Sequence, residues 1–453
     1  MPRLAEVSLS VVSQENRWGA EFYDPDLLKP LNKAYEWVPI GKILTMCQYG
    51  LSRAMNEEGL GKPIYRMNEI EDVFLAEPQK HVEVNENEYL QFRLTPNDIL
   101  FNRTNSFEFV GRTGILKHCQ DAVFASYLVR IRSDRRYIFP EFLAVYLNTN
   151  FGIAQIKRRA MPSINQTNVS ASELKRIPIP LVPVLKQQQV ADLVNGAARC
   201  REEARAAFRD AEELLQDELG LSKISLSHAV GYEARLSHIR AARRFDGEYF
   251  KPSFRQIVDC VFRYRHGYEP LLRHVQEIRP NVDPGRSPDE LFRYVELADI
   301  NARLGLITSA AEVVGRDVPS RARRRIAKDD VIISAVAGSI DKAALVGKKY
   351  ENALASTGFF QFRSATYDPR YLLVLLRCRA IRMQLEREAT GGILSAVSQR
   401  RLRHVIIPTV PKELQDEIAQ KVGESHAAYR EAEFLLEKAK RRVEELIERK
   451  AAV

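Results

Sequence analysis

Paired cysteines, an apolar span and the short signatures of catalysis are all missing from this chain. Five cysteines, Cys47, Cys119, Cys200, Cys260 and Cys378, are scattered through 453 residues. None forms a C-x-x-C pair or stands beside a histidine, so neither a zinc site nor a disulfide framework is signalled, and they read as ordinary buried thiols. The longest apolar runs, such as Leu372 to Leu376, fall far short of the roughly 20 residues that cross a bilayer. The first stretch of chain is polar and mixed, without an apolar core of a leader. A cytoplasmic protein that avoids membranes is the expectation.

Catalytic machinery is equally scarce. The eight histidines include no H-E-x-x-H, and no G-x-x-x-x-G-K-[S/T] loop is present to drive a nucleotide motor. Gly59-Leu-Gly-Lys62 is a lone fragment. An adenine methyltransferase would need an Asn/Asp-Pro-Pro-aromatic loop and a glycine-rich cofactor loop after a strand, and neither occurs. The acidic pairs Glu57-Glu58, Asp329-Asp330 and Glu444-Glu445 read as solvated turns or helix faces. No catalytic residue, metal ligand or cofactor site is therefore expected in this chain.

What is present is an ordinary globular balance, 45% apolar and 28% charged, with a formal charge of +9 that favours a polyanionic partner. There is also an internal repeat, with a period of about 228 residues. Arg17-Trp-Gly-Ala-Glu-Phe-Tyr-Asp-Pro25 resembles Arg244-Phe-Asp-Gly-Glu-Tyr-Phe-Lys-Pro252. Further on, Arg66 to Ile70 answers Glu296 to Ile300, and Asn97-Asp-Ile-Leu-Phe101 answers Asp329-Asp-Val-Ile-Ile333. Both pairs read as a strand entered through an acidic turn. Alternating patterns from Ala125-Ser126 to Arg130 and from Ala355-Ser356 to Arg363 predict period-two strands.

Each half closes the same way. Ile177-Pro-Ile-Pro-Leu-Val-Pro183 leads to Gln187, and Val405-Ile-Ile-Pro-Thr-Val-Pro411 leads to Gln415. Proline fixes the extended exit and stops the following helix from growing backwards. Beyond it, apolar or small residues recur at intervals of three and four: Val190, Leu193, Ala197, Cys200, Ala204, Ala207, Ala211 and Leu214, then Ile418, Val422, Tyr429, Ala432, Leu436, Ala439, Val443 and Leu446. Such spacing over several heptads predicts two long helices that pair through a coiled-coil seam, each about 50 Å long. Within them Ala206 to Leu215 matches Ala427 to Leu436 at an offset shorter by one heptad, which leaves the apolar stripe facing the same way.

Two unlike globular halves, each followed by a proline exit and a long heptad helix, resemble the specificity subunit of type I restriction-modification systems. Ile164-Asn-Gln-Thr-Asn-Val-Ser170 and Ile393-Leu-Ser-Ala-Val-Ser398, which precede the exits, are similar to the stretch that leads the family's recognition domain into its conserved helix. The resemblance implies an α+β fold of two mixed α/β target recognition domains, with the two helices in an antiparallel coiled coil and pseudo-two-fold symmetry. The divisions expected are residues 1–184 and 243–411 for the recognition domains, 185–221 and 412–453 for the spacer helices, and 222–242 for a connector. It further implies double-stranded DNA as ligand, read as two unlike half-sites. The protein partners implied are two methyltransferase subunits carrying S-adenosylmethionine, and through them restriction/translocase subunits.

Candidate DNA contacts follow from the polar and basic residues near the equivalent loops. They are Asn102, Arg103, Asn105, Lys157, Arg158, Arg159, Ser163, Asn165 and Gln166 in the first half, and Arg323, Arg324, Arg325, Ser334, Ser395 and Gln399 in the second. The basic residues would meet phosphate, and Arg, Asn and Gln can read base edges bidentately. Arg321 to Arg325 is expected in a turn before a strand. A scaffold that binds only proteins through its heptad helices and a stand-alone DNA-binding regulator are the alternatives that the sequence leaves open.

Overall fold

The computed structural model describes residues 6–448, apart from 16, 29–31, 33, 119–120, 165, 227–230 and 392–394. Cys119 and Asn165 thus lie outside the described residues. The chain forms two compact units, Met1–Cys200 with Glu431–Val453, and Arg201–Arg430. The divisions fall inside the two long helices, α1 (Val184–Glu218) and α2 (Lys412–Glu448), because the two ends of each helix bury their stripes in different cores.

The first unit is built on a six-stranded sheet in the spatial order Leu44–Tyr49, Leu128–Ser133, Ile99–Asn102, Thr113–Ile115, Phe74–Leu75, Ile70–Glu71. The second unit repeats that order with Gln276–Glu277, Phe359–Arg363, Val331–Ser334, Ala343–Leu345, Leu306–Ile307, Ile300–Asn301. In both, the fourth and fifth strands run parallel and the other neighbours antiparallel. The central strands are buried along their whole length, which is why they read as apolar runs instead of clean alternations. Each is entered through a residue with left-handed backbone, Asn97 (φ 72) and Asp329 (φ 68), the side-chain types that tolerate it best after glycine.

A second sheet also recurs. Val123–Phe124, Lys62–Tyr65 and Lys80–Val82 in the first unit correspond to Leu354–Ser356, Leu291–Val295 and Ala311–Val314 in the second, which adds Ala322–Arg325 at its edge. The basic run expected in a turn is thus itself a strand. Its period-two pattern, with Ala322 and Arg324 inward, was hidden by the arginines.

The proline exits are short edge pairings, Pro178–Pro180 with Trp37–Pro39 and Ile406–Pro408 with Tyr268–Pro270, positions that tolerate a missing N–H. A glutamine closes each exit. Gln187 Nε2 donates to the carbonyls of Val182 (2.7 Å) and Tyr137 (3.0 Å), and its Oε1 accepts from the Phe139 amide at 2.8 Å. Gln415 Nε2 donates to the Val410 carbonyl at 2.8 Å.

Within the first unit α1 and α2 run antiparallel, Val190, Val194 and Ala197 packing with Ala432, Leu436, Ala439 and Val443, and Arg442 reaching Gln189 at 3.1 Å. Leu193 lies half-buried beside them. Within the second unit the later part of α1 meets the earlier part of α2, again antiparallel. Ala204, Phe208, Ala211 and Leu215 share a core with Ile418 and Val422, and Ser425 Oγ donates to the Ala204 carbonyl at 2.7 Å. Tyr429 and Leu214 pack half-buried at its margin. The stripe of α1 is wider than predicted: Phe208 and Leu215 are fully buried while Ala207 and Leu214 flank them.

Candidate nucleic-acid interface

In each unit the central strand of the large sheet continues into an edge that carries a hairpin. In the first, Thr104–Asn105 pairs with Gln166–Asn168, which pairs in turn with Met161–Ser163. In the second, Val336 bridges to Ala396 in the hairpin of Ala389–Thr390 and Ala396–Val397. One backbone bond sets the register of both: the Val169 amide donates to the Arg103 carbonyl, and the Val397 amide to the Ala335 carbonyl, each at 2.8 Å. The framework is common but the side chains are not. Arg103 and Asn105 of the first unit stand where the second has Ala335 and Ala337.

The first hairpin gathers four of the candidate contacts. Ser163 and Gln166 are paired across the strands and exposed. Arg103 lies with its guanidinium 4.9 Å from the Tyr49 ring and donates to the Ser126 carbonyl at 3.1 Å. Asn105 accepts from the Ser106 amide at 2.8 Å and rests its Nδ2 on Met67 Sδ at 3.3 Å. In the second hairpin Ser395 Oγ donates to the Gly391 carbonyl at 3.0 Å.

Asn102 and Ser334 occupy equivalent ends of the central strands and are both fully buried. Asn102 Nδ2 donates to the Phe109 carbonyl at 3.1 Å, and Ser334 Oγ lies 2.9 Å from Ser339 Oγ and accepts from the Val336 amide. They hold turns in place.

The basic run at 157–159 also turns inward. Lys157 Nζ donates to the carbonyls of Glu108 (3.0 Å), Val110 (2.9 Å) and Phe107. Burial, with help from the Arg112 charge, pulls its pKa down to about 8. Arg158 stacks on Phe22 at 4.1 Å and donates to its carbonyl at 3.2 Å. Arg387 does the same in the second unit, 4.2 Å from the Tyr249 ring and 3.3 Å from its carbonyl. Arg159 is buried against Gln155, bonded to its Oε1 at 2.9 Å.

In the second unit Arg323 pairs with Asp283 and donates to the Ser320 carbonyl at 2.8 Å. Arg324 is buried and pairs with Glu277 at 2.9 Å. Arg325 points outward from the edge strand, and Gln399 is bonded to Glu277. These four are not part of the hairpin edge.

Asp330, expected in a solvated turn, is fully buried and bonded to Arg363 and to Gln361. The repeat also begins earlier than the sequence suggested. Helices Leu9–Glu15 and Leu236–Ala242 occupy corresponding places before the Arg17 and Arg244 segments. Among the described residues no three His, Cys, Asp or Glu side chains are placed to hold a metal, and no helix is long and apolar enough to cross a membrane.

No family model matches the chain. A protein of Methanocaldococcus jannaschii, provisionally named the type I restriction enzyme MjaX specificity subunit, is 28% identical over 157 residues, 34% of this chain and 37% of the relative. The type I restriction enzyme EcoKI specificity subunit of Escherichia coli is 26% identical over 171 residues, 37% of either chain. These relatives are type I specificity subunits. The chain spans little more than a third of the length of each. Among solved structures, the type I restriction-modification S subunit from M. genitalium superposes with a TM-score of 0.43 at 13% identity, over 93% of this chain and 99% of that one. The HsdS subunit from Thermoanaerobacter tengcongensis gives 0.30 at 16% identity, over 92% and 98%.

Proposed function

We propose that this chain is the sequence-specific DNA-recognition subunit of a type I restriction-modification complex, each unit reading one half of a bipartite, asymmetric target. The observation that carries the reading is the repeated hairpin edge: one backbone framework, held by the same interstrand bond, with Arg103 and Asn105 in one unit where the other has Ala335 and Ala337. A constant frame with variable side chains is what two readers of different short sequences require. Paired strands are among the elements that enter a DNA groove, and exposed side chains on them such as Gln166 and Ser163 can meet base edges. The net charge of +9 fits a partner whose affinity is dominated by phosphate.

On this reading the chain contributes no chemistry. Two methyltransferase subunits supply the S-adenosylmethionine and the methyl transfer, restriction/translocase subunits join through them, and the assembly works in the cytoplasm. The similarity to two specificity subunits supports the role of recognition subunit.

The test is an exchange. Replacing residues 17–184 by the first half of another specificity subunit and sequencing the methylated sites should change one half-site and leave the other. Alteration of both halves would overturn the modular reading. Binding indifferent to oligonucleotide sequence and to salt would instead make the chain a protein scaffold, and tight specific binding without any other subunit would make it a stand-alone regulator.

A further inference from the structure

Arg103 holds its charge without a carboxylate. On the neighbouring strand Arg130 and Arg132 both pair with Asp98, so their charge is spent inside the unit. Among the described residues the Arg103 guanidinium makes one hydrogen bond, Nη1 to the Ser126 carbonyl at 3.1 Å. Its Nε is enclosed without a partner. Nη2 and the second hydrogen of Nη1 have no acceptor among the described residues, and these are the ends from which a ligand can be met.

The guanidinium is nevertheless held in place. It lies 4.9 Å from the centre of the Tyr49 ring, the stacked arrangement that arginine favours and lysine does not reproduce. Tyr49 is itself anchored, its hydroxyl oxygen accepting from the Ala171 amide at 2.9 Å. An arginine so restrained loses little side-chain freedom on binding. Tyr49 and Tyr127 remain 43% and 46% exposed, so this end of the central strand is open to a ligand.

None of this recurs in the second unit, although the backbone does. The Arg103 amide donates to the Tyr127 carbonyl at 3.0 Å, and the Ala335 amide to the Gly358 carbonyl at 2.8 Å. The same frame thus carries arginine and tyrosine in one unit, alanine and glycine in the other. Phosphates are alike in every half-site, so a phosphate contact belongs to the shared frame; a side chain present in one unit alone is placed as a base reader should be.

We infer that Arg103 reads a guanine in the half-site of the first unit, with Nη1 and Nη2 donating to O6 and N7, and that Tyr49 is the positioning residue behind it. The inference rests on the proposed function and adds to it the base and the pair of residues that select it. Guanine is the base that offers two adjacent acceptors, O6 and N7, in the major groove, and the arginine fork fits them.

The experiment uses the full chain co-expressed with its methyltransferase subunit. Methylated genomic sites give the motif, the exchange of residues 17–184 shows which half belongs to the first unit, and binding is measured on duplexes changed one base pair at a time. That half-site should contain a guanine whose replacement by adenine weakens the wild type about 10-fold. Replacing it by 7-deazaguanine, which lacks the N7 acceptor, should also weaken binding. Arg103→Ala should lose the preference and the 7-deazaguanine response at that position while keeping the preferences elsewhere. Tyr49→Leu should lose part of both, and Tyr49→Phe, which keeps the ring, should restore them; this pair decides the matter if Arg103→Ala folds poorly. A half-site without guanine, or a guanine preference that Arg103→Ala leaves intact, overturns the inference while recognition by the complex stands. An equal loss on all duplexes, with the salt slope reduced by about one, would make Arg103 a phosphate contact and overturn it as well. A wild-type complex that selects no sequence fails the proposed function itself, and the inference with it.

Discussion

The Asp330 carboxylate holds Arg363 through two parallel bonds, Nε to Oδ1 at 2.7 Å and Nη2 to Oδ2 at 3.0 Å. Asp98 holds Arg132 in the same way in the first unit, with Nη2 to Oδ2 at 2.9 Å. Each aspartate is buried and also accepts from a backbone amide three residues earlier, Ala327 and Thr95, at 2.9 Å. The carboxylate thus ties the entry turn of the central strand to the neighbouring strand. Asp330→Ala would leave the Ala327 amide without its acceptor and Gln361 Nε2 with the Arg325 carbonyl alone, and a cost of about 3 kcal/mol is expected for removing one partner of a buried pair. Because Arg363 is half exposed, Arg363→Gln should cost much less, about 1 kcal/mol. Denaturant unfolding of the two variants should show that order; equal losses would mean the aspartate acts only through the ion pair.

His426 is buried beside Phe208, and its Nε2 donates to the Leu304 carbonyl at 2.8 Å. Burial chiefly, together with the charges of Arg430, Arg370 and Arg377, pulls its pKa from 6.5 down to about 4. The folded imidazole is therefore neutral where the unfolded one is charged. Between about pH 6.5 and pH 4 the unfolded state binds the additional proton, so stability falls as pH falls, by up to about 3 kcal/mol, and the loss levels off below that window. His426→Gln keeps an N–H for Leu304 and does not titrate. Unfolding followed from pH 7 to pH 4 should be shallower for the variant than for the wild type, and parallel curves would show that His426 is not a source of the acid sensitivity.

Much of the fold was legible because it is written twice. The proline exits, the glutamines that close them and the heptad stripes each recur, and a pattern that appears at one offset in both halves is hard to mistake. The reading failed where burial depends on partners far away in the chain. Asn102 and Ser334 look like polar strand ends, yet the loops that follow fold over them. Arg158 looks like surface charge, yet its ring partner Phe22 comes from 136 residues earlier in the chain. Asp330 looks like part of an acidic turn until Arg363 is placed beside it. The early helices escaped notice because seven residues with few shared side chains carry no usable period, leaving only the spacing of Leu9 and Leu236 from the repeated arginines as a signal.

Leu436 is 1% exposed in the seam that α2 makes with α1 in the first unit, among Val190, Val194 and Ala197. An aspartate there would be a buried, unpaired charge beside apolar neighbours, and Leu436→Asp should cost about 4 kcal/mol or more. Ser425→Ala, in the second unit, removes one buried bond to the Ala204 carbonyl and should cost about 1 kcal/mol. Hydrogen exchange of the α1 amides around Ala197 should accelerate strongly in the first variant, whereas protection unchanged by Leu436→Asp would show that this seam does not hold the helices together.

Exposed and inward-facing candidates should separate cleanly in DNA binding. Gln166 and Ser163 lie open on the hairpin, so Gln166→Ala should leave melting unchanged and relax recognition at one base pair of one half-site, a loss on the order of 10-fold in preference. Lys157→Met should act otherwise. Its ammonium is bonded to the carbonyls of Phe107, Glu108 and Val110, so the variant should lower the melting temperature by freeing that loop. The slope of log affinity against log salt should stay as in the wild type, because a lysine occupied by carbonyls releases no counterion from phosphate. A slope reduced by about one, at unchanged stability, would show that Lys157 leaves its carbonyls to meet DNA and would restore it to the interface.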